Sequence, residues 1–512
     1  MQPLSLTLAL AFLAGPSLAG NYLFWMPLGS RSMKIGIMDM VYELAARGHT
    51  VTVVSAHGAK RETPGVREIV IQSGFESLVQ EAMREILVTV GAEPPWTAIM
   101  EQSLKDNRAA LDSQELRQLV AAADVDVVCV VPFGNEAGFY LSQKMNASLA
   151  LLWTGPSTLA HINWAVGDPY NPATSPMPLT GYSHPMTFSQ RIVNTLVIGM
   201  LNVVNEFYLR PKTHSLLVEV FPEDKDIPSI SSLSKTAALL ITHGSPFLAD
   251  GMKPSMPQSV QAALMSCGPT DPLPAELRTF MDDAEHGVIF ISFGSVIKPS
   301  MMPESKRLIF VSVFGRLKQR VIWKWDTAMP DAPANVLVSS WLPQKSLLAH
   351  PSLKLFISHA GAGSLQETIC YTTPIVAVPI NSDQFVNANE AVRLGIGVKV
   401  DWHSLSEDSL DAALTEVLTE PSYQTAVEQL QSRILDTPQH PLERAVWWLE
   451  FLLRQPPGNP AMRSPGHDLH WSQLLLLDVC LAIFLGLLAT IYVSYTILSC
   501  FCACFQRKQK KE

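Results

Sequence analysis

Apolar and polar positions in the first half of the chain follow two alternating rhythms. Asn21–Met26 is a short apolar run, residues 32–49 place apolar side chains at helical spacing, and Thr50–Ser55 is a second apolar run. Strand, helix, strand at this spacing predicts a βαβ unit and a parallel sheet. Residues 125–131, a helix after Gly134 and residues 148–152 repeat the pattern. A stretch rich in Pro, Ser and Gly from Pro254 to Pro274 predicts a linker. The pattern then restarts, with strands at 287–293, 321–325, Val336–Ser339, Leu353–Ser358 and 375–378, a helix at 302–319, and a last helix at 441–454 expected to close the second half. Strands that are continuously apolar have both faces covered. The economical architecture is α/β: two doubly wound Rossmann-like domains facing a cleft.

The ends carry different signals. Residues 4–13 are apolar and are followed by Gly15, Pro16 and Ser17-Leu18-Ala19, which reads as a secretory signal peptide cut after Ala19. Residues 479–505 contain no Asp, Glu, Lys or Arg, and about 20 apolar residues suffice for a helix to cross a bilayer. Asp478 stands at the entrance of this run, near Trp471, while Arg507, Lys508, Lys510 and Lys511 follow it. The positive-inside rule then puts the tail in the cytosol and the bulk of a single-pass, type I chain in the lumen. The expected organisation is a signal peptide (1–19), a first half (20–268), a second half (269–455), a stalk (456–473), a transmembrane region (474–505) and a basic tail (506–512). Residues 186–208 are apolar but broken by Arg191, Asn194, Asn202 and Asn205. They are too polar to span, and are expected to pack partly into the core, with an interfacial helix as the alternative.

Composition narrows the function. In 512 residues, 37 Lys and Arg against 46 Asp and Glu leave a formal charge of −9, which argues against a nucleic-acid binder. Cys129, Cys267 and Cys370 are too few for a disulfide framework, so stability is expected from the core. Cys480, Cys500, Cys502 and Cys504 lie at the membrane segment. Asn146-Ala147-Ser148 is a glycosylation sequon.

The segment richest in chemistry runs Trp341-Leu342-Pro343-Gln344, Phe356-Ile357-Ser358-His359-Ala360-Gly361-Ala362-Gly363-Ser364-Leu365-Gln366-Glu367 and Pro379-Ile380-Asn381-Ser382-Asp383-Gln384. An apolar strand ends in a turn of small residues that opens a helix, a geometry that brings backbone N–H groups close to an anion. Gly361-x-Gly363 alone is a weak signal. Taken whole, the stretch from Trp341 to Gln384 resembles the signature of the UDP-glycosyltransferases of GT-B fold, the superfamily of the animal glucuronosyltransferases and plant glycosyltransferases. Ile291-Ser292-Phe293-Gly294-Ser295, Pro272-Leu273-Pro274 and the C-terminal anchor extend the resemblance over nearly the whole chain.

The resemblance implies a UDP-sugar donor, with Trp341 stacking on uracil and Gln344 hydrogen-bonding to it. It implies that His359, Gly361, Ser364 and Ser295 hold the diphosphate, Glu367 the ribose, and Asp383 and Gln384 the transferred sugar. No cofactor or metal is expected. Asp124-Val125-Asp126 and Asp224-Lys225-Asp226 match the Asp-x-Asp of metal-dependent transferases formally, but one begins a strand and the other sits in a charged loop. The implied reaction is transfer of a hexose, with inversion, to a small lipophilic acceptor, as in detoxification. Lysines third and fifth from the end resemble a dilysine retrieval signal, so the expected site is the endoplasmic reticulum membrane with the catalytic part lumenal. Homo- or hetero-oligomers are compatible with it.

One part of the pattern breaks. The family's general-base histidine falls on Met33 and its supporting aspartate on Val131, and neither side chain takes a proton. Losing a general base typically costs about 10²–10⁴ in rate. Three accounts stand: acceptors that need little help, such as phenols, thiols or amines; a substitute among Glu136, His57 and His161, with Glu136 favoured; or a UDP-sugar-binding subunit without turnover. Residues 262–268 also lack the basic residue that would pair a uronate, which favours glucose over glucuronate.

Overall fold

The computed structural model describes residues 19–59, 62–155, 159–248, 253–456 and 464–509. The signal peptide up to Leu18 and the terminal Lys510 and Lys511 lie outside the described residues. Two wholly parallel sheets organise the chain up to the stalk. The front sheet comprises β1 (Asn21–Met26), β2 (Thr50–Ser55), β3 (Val66–Val70), β4 (Val127–Val130), β5 (Ser148–Trp153), β6 (Ala237–Thr242) and β7 (Ser259–Gln261). Its strand order is β3-β2-β1-β4-β5-β6-β7. The rear sheet comprises β8 (Val288–Ser292), β9 (Arg320–Lys324), β10 (Val336–Ser339), β11 (Leu353–Ser358), β12 (Ile375–Ala377) and β13 (Gly397–Lys399), in the order β10-β9-β8-β11-β12-β13. In each sheet the winding reverses beside the first strand, between β1 and β4 and between β8 and β11. Ligands of such sheets bind at the carboxyl ends of the strands at this switch point.

The continuous apolar strands are buried as their composition predicts: Val127–Val130 and Val288–Ser292 are covered on both faces. Phe290 and Phe356 stand opposite each other in the β8–β11 register with their rings stacked 5.0 Å apart. Strands β3, β6, β7 and β13 were not anticipated. β7 lies within the stretch expected to be a linker, as an edge strand beside β6.

Two expectations are corrected. The helix Pro441–Leu453 does not close the second half: Ala445, Val446, Leu449 and Leu452 pack into the front core with Tyr22, Phe24 and Val41. Its apolar face is complementary to the uncovered side of the front sheet. Second, Cys267 and Cys370 form a disulfide, joining the end of the front half to the rear helix Ala362–Cys370. The helix Phe188–Val204 packs partly into the core, as expected, through Ile198 against Ala160 and Met177, but it also turns a polar residue inward. Asn194 is buried because it accepts from the Met177 amide (2.7 Å) and donates to the Pro172 and Ser175 carbonyls. That leaves Phe188 (72% exposed), Leu196 (67%), Met200 and, in the following π turn, Phe207 (77%) facing outward.

The disulfide lies in a seam of polar contacts. The Leu264 amide donates to Gln366 Oε1 (2.7 Å), and Gln366 Nε2 donates to the His243 carbonyl (3.1 Å). Asp39 accepts from the Ser266 hydroxyl and pairs with Lys345 at 3.4 Å. By itself, the C-terminal unit contains the helix Leu477–Gln509, whose stretch Leu477–Cys500 has a mean hydropathy of 2.1 and no buried position, long and apolar enough to cross a membrane.

The seam predicts that Cys370→Ser lowers unfolding stability by about 2–4 kcal/mol, the usual effect of losing a cross-link that closes a long loop. Urea titration of detergent-solubilised full-length protein measures this. A mutant midpoint unchanged from wild type contradicts it.

Candidate functional site

At the rear switch point β8 ends in Gly294-Ser295 and β11 in His359-Ala360-Gly361. Gly294 has φ of 81°, and a Cβ on it would lie 2.7 Å from His359 Cε1; a Cβ on Gly361 would lie 2.6 Å from His359 Nε2. The imidazole is therefore slotted between two positions that tolerate only glycine. Ala360 holds a left-handed backbone (φ 59°), a strain of about 1–3 kcal/mol of the kind that collects at functional sites. The helix Ala362–Cys370 then begins at Gly361, which has no side chain to cap it. Beyond the Ala362 N–H, which donates to Asp383, its first turn and dipole offer backbone donors to an anion.

Other groups converge here. Ser364 lies buried in the first turn. Ser295 Oγ is buried without a hydrogen-bond partner among the described residues, an orphan that a ligand oxygen satisfies. Lys324, at the end of β9, donates to the Gly294 carbonyl (2.7 Å). Burial, reinforced by Lys324, holds the His359 pKa at about 4, so the ring is a neutral hydrogen-bonding group. Asp383 closes the ring of residues: its carboxylate accepts from Ala362's backbone and from Asn387 Nδ2 (2.9 Å), and burial raises its pKa. It precedes the helix Gln384–Arg393 without making a capping bond, so capping does not account for it. The Gln384 side chain, by contrast, is engaged in its own turn, accepting from the Ile380 and Asn381 amides and donating to Asn381 Oδ1 (2.7 Å). It shapes the loop that presents Asp383.

Further along the cleft, Gln344 Nε2 donates to Glu367 Oε2 at 2.5 Å, and burial raises the Glu367 pKa. Trp341 is 56% exposed, a large aromatic side chain of the kind suited to stacking. The fold thus brings Ser295, His359, Gly361, Ser364 and Asp383 to one point, and Gln344 and Glu367 to a second. Lys324 and Asn387 were missed by sequence reasoning. Asn387 follows Asp383 by four residues, one helical turn, a spacing that puts the two side chains within reach of each other.

The front switch point is apolar where chemistry was sought. Met33 sits in the first turn of the helix Arg31–Ala46, and both Met33 and Val131 pack into the front core. Asn135 clamps the loops after β1 and β4 together, accepting from the Leu28 amide (2.8 Å) and donating to the Leu28 carbonyl (2.9 Å). Next to it, Glu136 starts the helix Ala137–Lys144, with its pKa raised by burial and drawn back by Arg210. His57 is buried, its Nε2 3.2 Å from the Gly29 carbonyl. His161, at the start of the helix Ala160–Val166, is held at about 3 by burial and by Arg210. Both formal Asp-x-Asp pairs make structural contacts: Asp124 and Asp126 accept from Asn21, and Asp224 from Tyr140 and Lys144.

Comparison with known proteins places the chain in a family. A family model described as UDP-glucoronosyl and UDP-glucosyl transferase matches residues 23–512. UDP-glucosyltransferase 2 of Dactylopius coccus is 30% identical over 443 residues, covering 85% of this chain and 84% of its own. Human UDP-glucuronosyltransferase 1A1 is 30% identical over 371 residues, covering 72% and 68%. The fold matches that of CalG4, the calicheamicin glycosyltransferase (TM-score 0.58, 18% identity, 85% of this chain and 98% of that one). It also matches a UDP-glucosyltransferase from Polygonum tinctorium (TM-score 0.58, 14% identity, 86% and 100%). The two sheets are the Rossmann-like domains of a GT-B glycosyltransferase.

The depressed pKa of His161 has a measurable consequence. Around pH 5 the unfolded chain protonates this histidine and the folded chain does not, so its contribution to stability falls as pH drops below about 6.5. Relative to His161→Gln, the wild type should lose about 1–2 kcal/mol between pH 7 and pH 5. Urea midpoints of the two proteins at both pH values test this, and a pH-independent difference contradicts it.

Proposed function

Because this chain belongs to the UDP-glucuronosyl and UDP-glucosyl transferase family, we propose that it is a lumenal, membrane-anchored enzyme of the endoplasmic reticulum that transfers glucose from UDP-glucose, with inversion, to a small lipophilic acceptor. The observation that carries this reading is the convergence of Ser295, His359, Ser364 and Asp383 on the open start of the helix Ala362–Cys370. An acceptor heteroatom attacks the anomeric carbon as its bond to the diphosphate oxygen breaks, and the electron pair leaves with UDP. The growing charge is met by fixed N–H groups, the neutral His359 and nearby Lys324, which need no reorganisation during the step. Trp341 and the Gln344–Glu367 pair hold uracil and ribose, and Asp383 binds hydroxyls of the transferred sugar. Glucose is favoured over glucuronate because residues 262–268 offer no cation to a uronate.

The acceptor proton goes to Glu136 or to solvent. A half-buried carboxylate with a raised pKa is closer to the strength a general base needs, and acidic acceptors such as phenols need little help. A second reading, a UDP-sugar-binding subunit without turnover, draws on the apolar Met33 and Val131.

Membrane attachment is supported by the apolar stretch Leu477–Cys500 and, separately, by the outward face of Phe188–Val204. Each large side chain on that face gains about 1.5–3 kcal/mol on leaving water.

Two measurements test these readings. Calorimetry on purified protein should register UDP binding, and radiolabelled UDP-glucose with a panel of phenols, thiols and amines should give product. In Asp383→Ala product should vanish while UDP affinity stays within about twofold, since this residue acts on the sugar. Met33→His should raise turnover of hydroxyl acceptors by about 10² or more. UDP binding with no product across the panel favours the second reading. For the membrane face, bimane attached at Leu196→Cys should emit at shorter wavelength in nanodiscs and be quenched by lipid-borne quenchers; a water-like spectrum contradicts insertion.

A further inference from the structure

Between the two halves lies a cavity of about 20 Å³, room for about one water molecule or one hydroxyl group. Thr154, Gly155 and His243 line it from the front, and Ala362, Gln366 and Asn387 from the rear. His243 Nε2 and Asn387 Oδ1 are both buried and have no partner among the described residues. His243 uses its other nitrogen on the Gly36 carbonyl, which leaves Nε2 as a lone-pair acceptor. The seat for the ring depends on Gly36, where a Cβ would approach His243 Cε1 to 3.2 Å and Thr154 Cγ2 to 3.1 Å. Asn387 Nδ2 is engaged by the Ala360 carbonyl and Asp383 Oδ2, both at 2.9 Å, so its oxygen is likewise an acceptor.

Two acceptors without a partner among the described residues thus come from opposite walls of one small cavity. Each is unfavourable unless something supplies a proton donor. The rear wall, through Asn387, is bonded directly to Asp383 and through it to the start of the helix Ala362–Cys370. Resting on the reading that this helix binds a UDP-sugar, we propose that His243 is a specificity-determining contact of the front half: its Nε2 accepts a hydrogen bond from one hydroxyl of the transferred hexose, which reaches into the cavity beside Asn387. The volume admits a hydroxyl but not a ring, so the sugar ring lies outside it, on the Asp383 side. Burial holds His243 at about 4, with Asp39 as the opposing charge, so the imidazole keeps its lone pair at neutral pH.

The experiment uses full-length protein in detergent micelles, UDP, UDP-glucose and a series of UDP-deoxyglucoses lacking one hydroxyl each. His243→Ala should raise the KM for UDP-glucose about tenfold and leave the UDP Kd within about twofold. In the wild type one deoxy analogue should bind about tenfold more weakly than UDP-glucose, and that analogue should be indifferent to His243→Ala. The analogue series on unmodified protein stands even where the variant folds poorly. Equal weakening of UDP and UDP-glucose means that His243 only packs the seam, and overturns the proposal. Deoxy analogues that all bind like UDP-glucose overturn it as well. Failure of wild-type protein to bind UDP at all instead removes the donor reading on which the proposal rests.

Discussion

The site depends on one constraint: a helix that begins where β8 and β11 diverge, with a glycine at its cap and only Asp383, from another loop, reaching its first N–H. An uncapped start is a cost for an isolated helix. Here it is maintained by glycine on both sides of His359, by a left-handed Ala360 and by the Asn387 bond to the Ala360 carbonyl. These features each spend conformational freedom or backbone strain on keeping the helix end open and the imidazole fixed. A leaving diphosphate is the kind of charge that makes such an arrangement favourable.

The two halves are unequal in chemical content. The rear switch point gathers polar groups at fixed positions, whereas the corresponding point of the front sheet places Met33 and Val131 in the core. The front loops are nonetheless tightly built, since Asn135 ties the turn after β1 to the turn after β4. The front half therefore contributes shape and a few isolated polar groups, and the polar groups suited to meeting charge are gathered in the rear half.

Much of this was legible in the sequence, for physical reasons. Strands such as Leu353–Ser358 are unbroken apolar runs because helices cover both faces of a parallel sheet, and all but one of the candidate donor-site residues read from sequence fall within a 44-residue stretch because successive strand–helix connections of the rear sheet present them. Short edge strands were not legible: β7 and β13 have three residues each, too few to show a period. The helix Phe188–Val204 has an apolar face that composition detects, but which face turns inward is decided by Asn194 and the loop amide and carbonyls it satisfies. The return of Pro441–Leu453 to the front sheet and the pairing of Cys267 with Cys370 are tertiary facts with no local signature. His243 likewise stands in no motif, and only the seam reveals its unpaired nitrogen.

The Cys267–Cys370 bond joins residues 103 positions apart, one from each half. Neither thiol has its mate until both sheets are assembled and docked, so oxidation reports on completed docking rather than on either sheet alone. Once formed, it is a covalent tether between the two lobes, so they cannot part at that point.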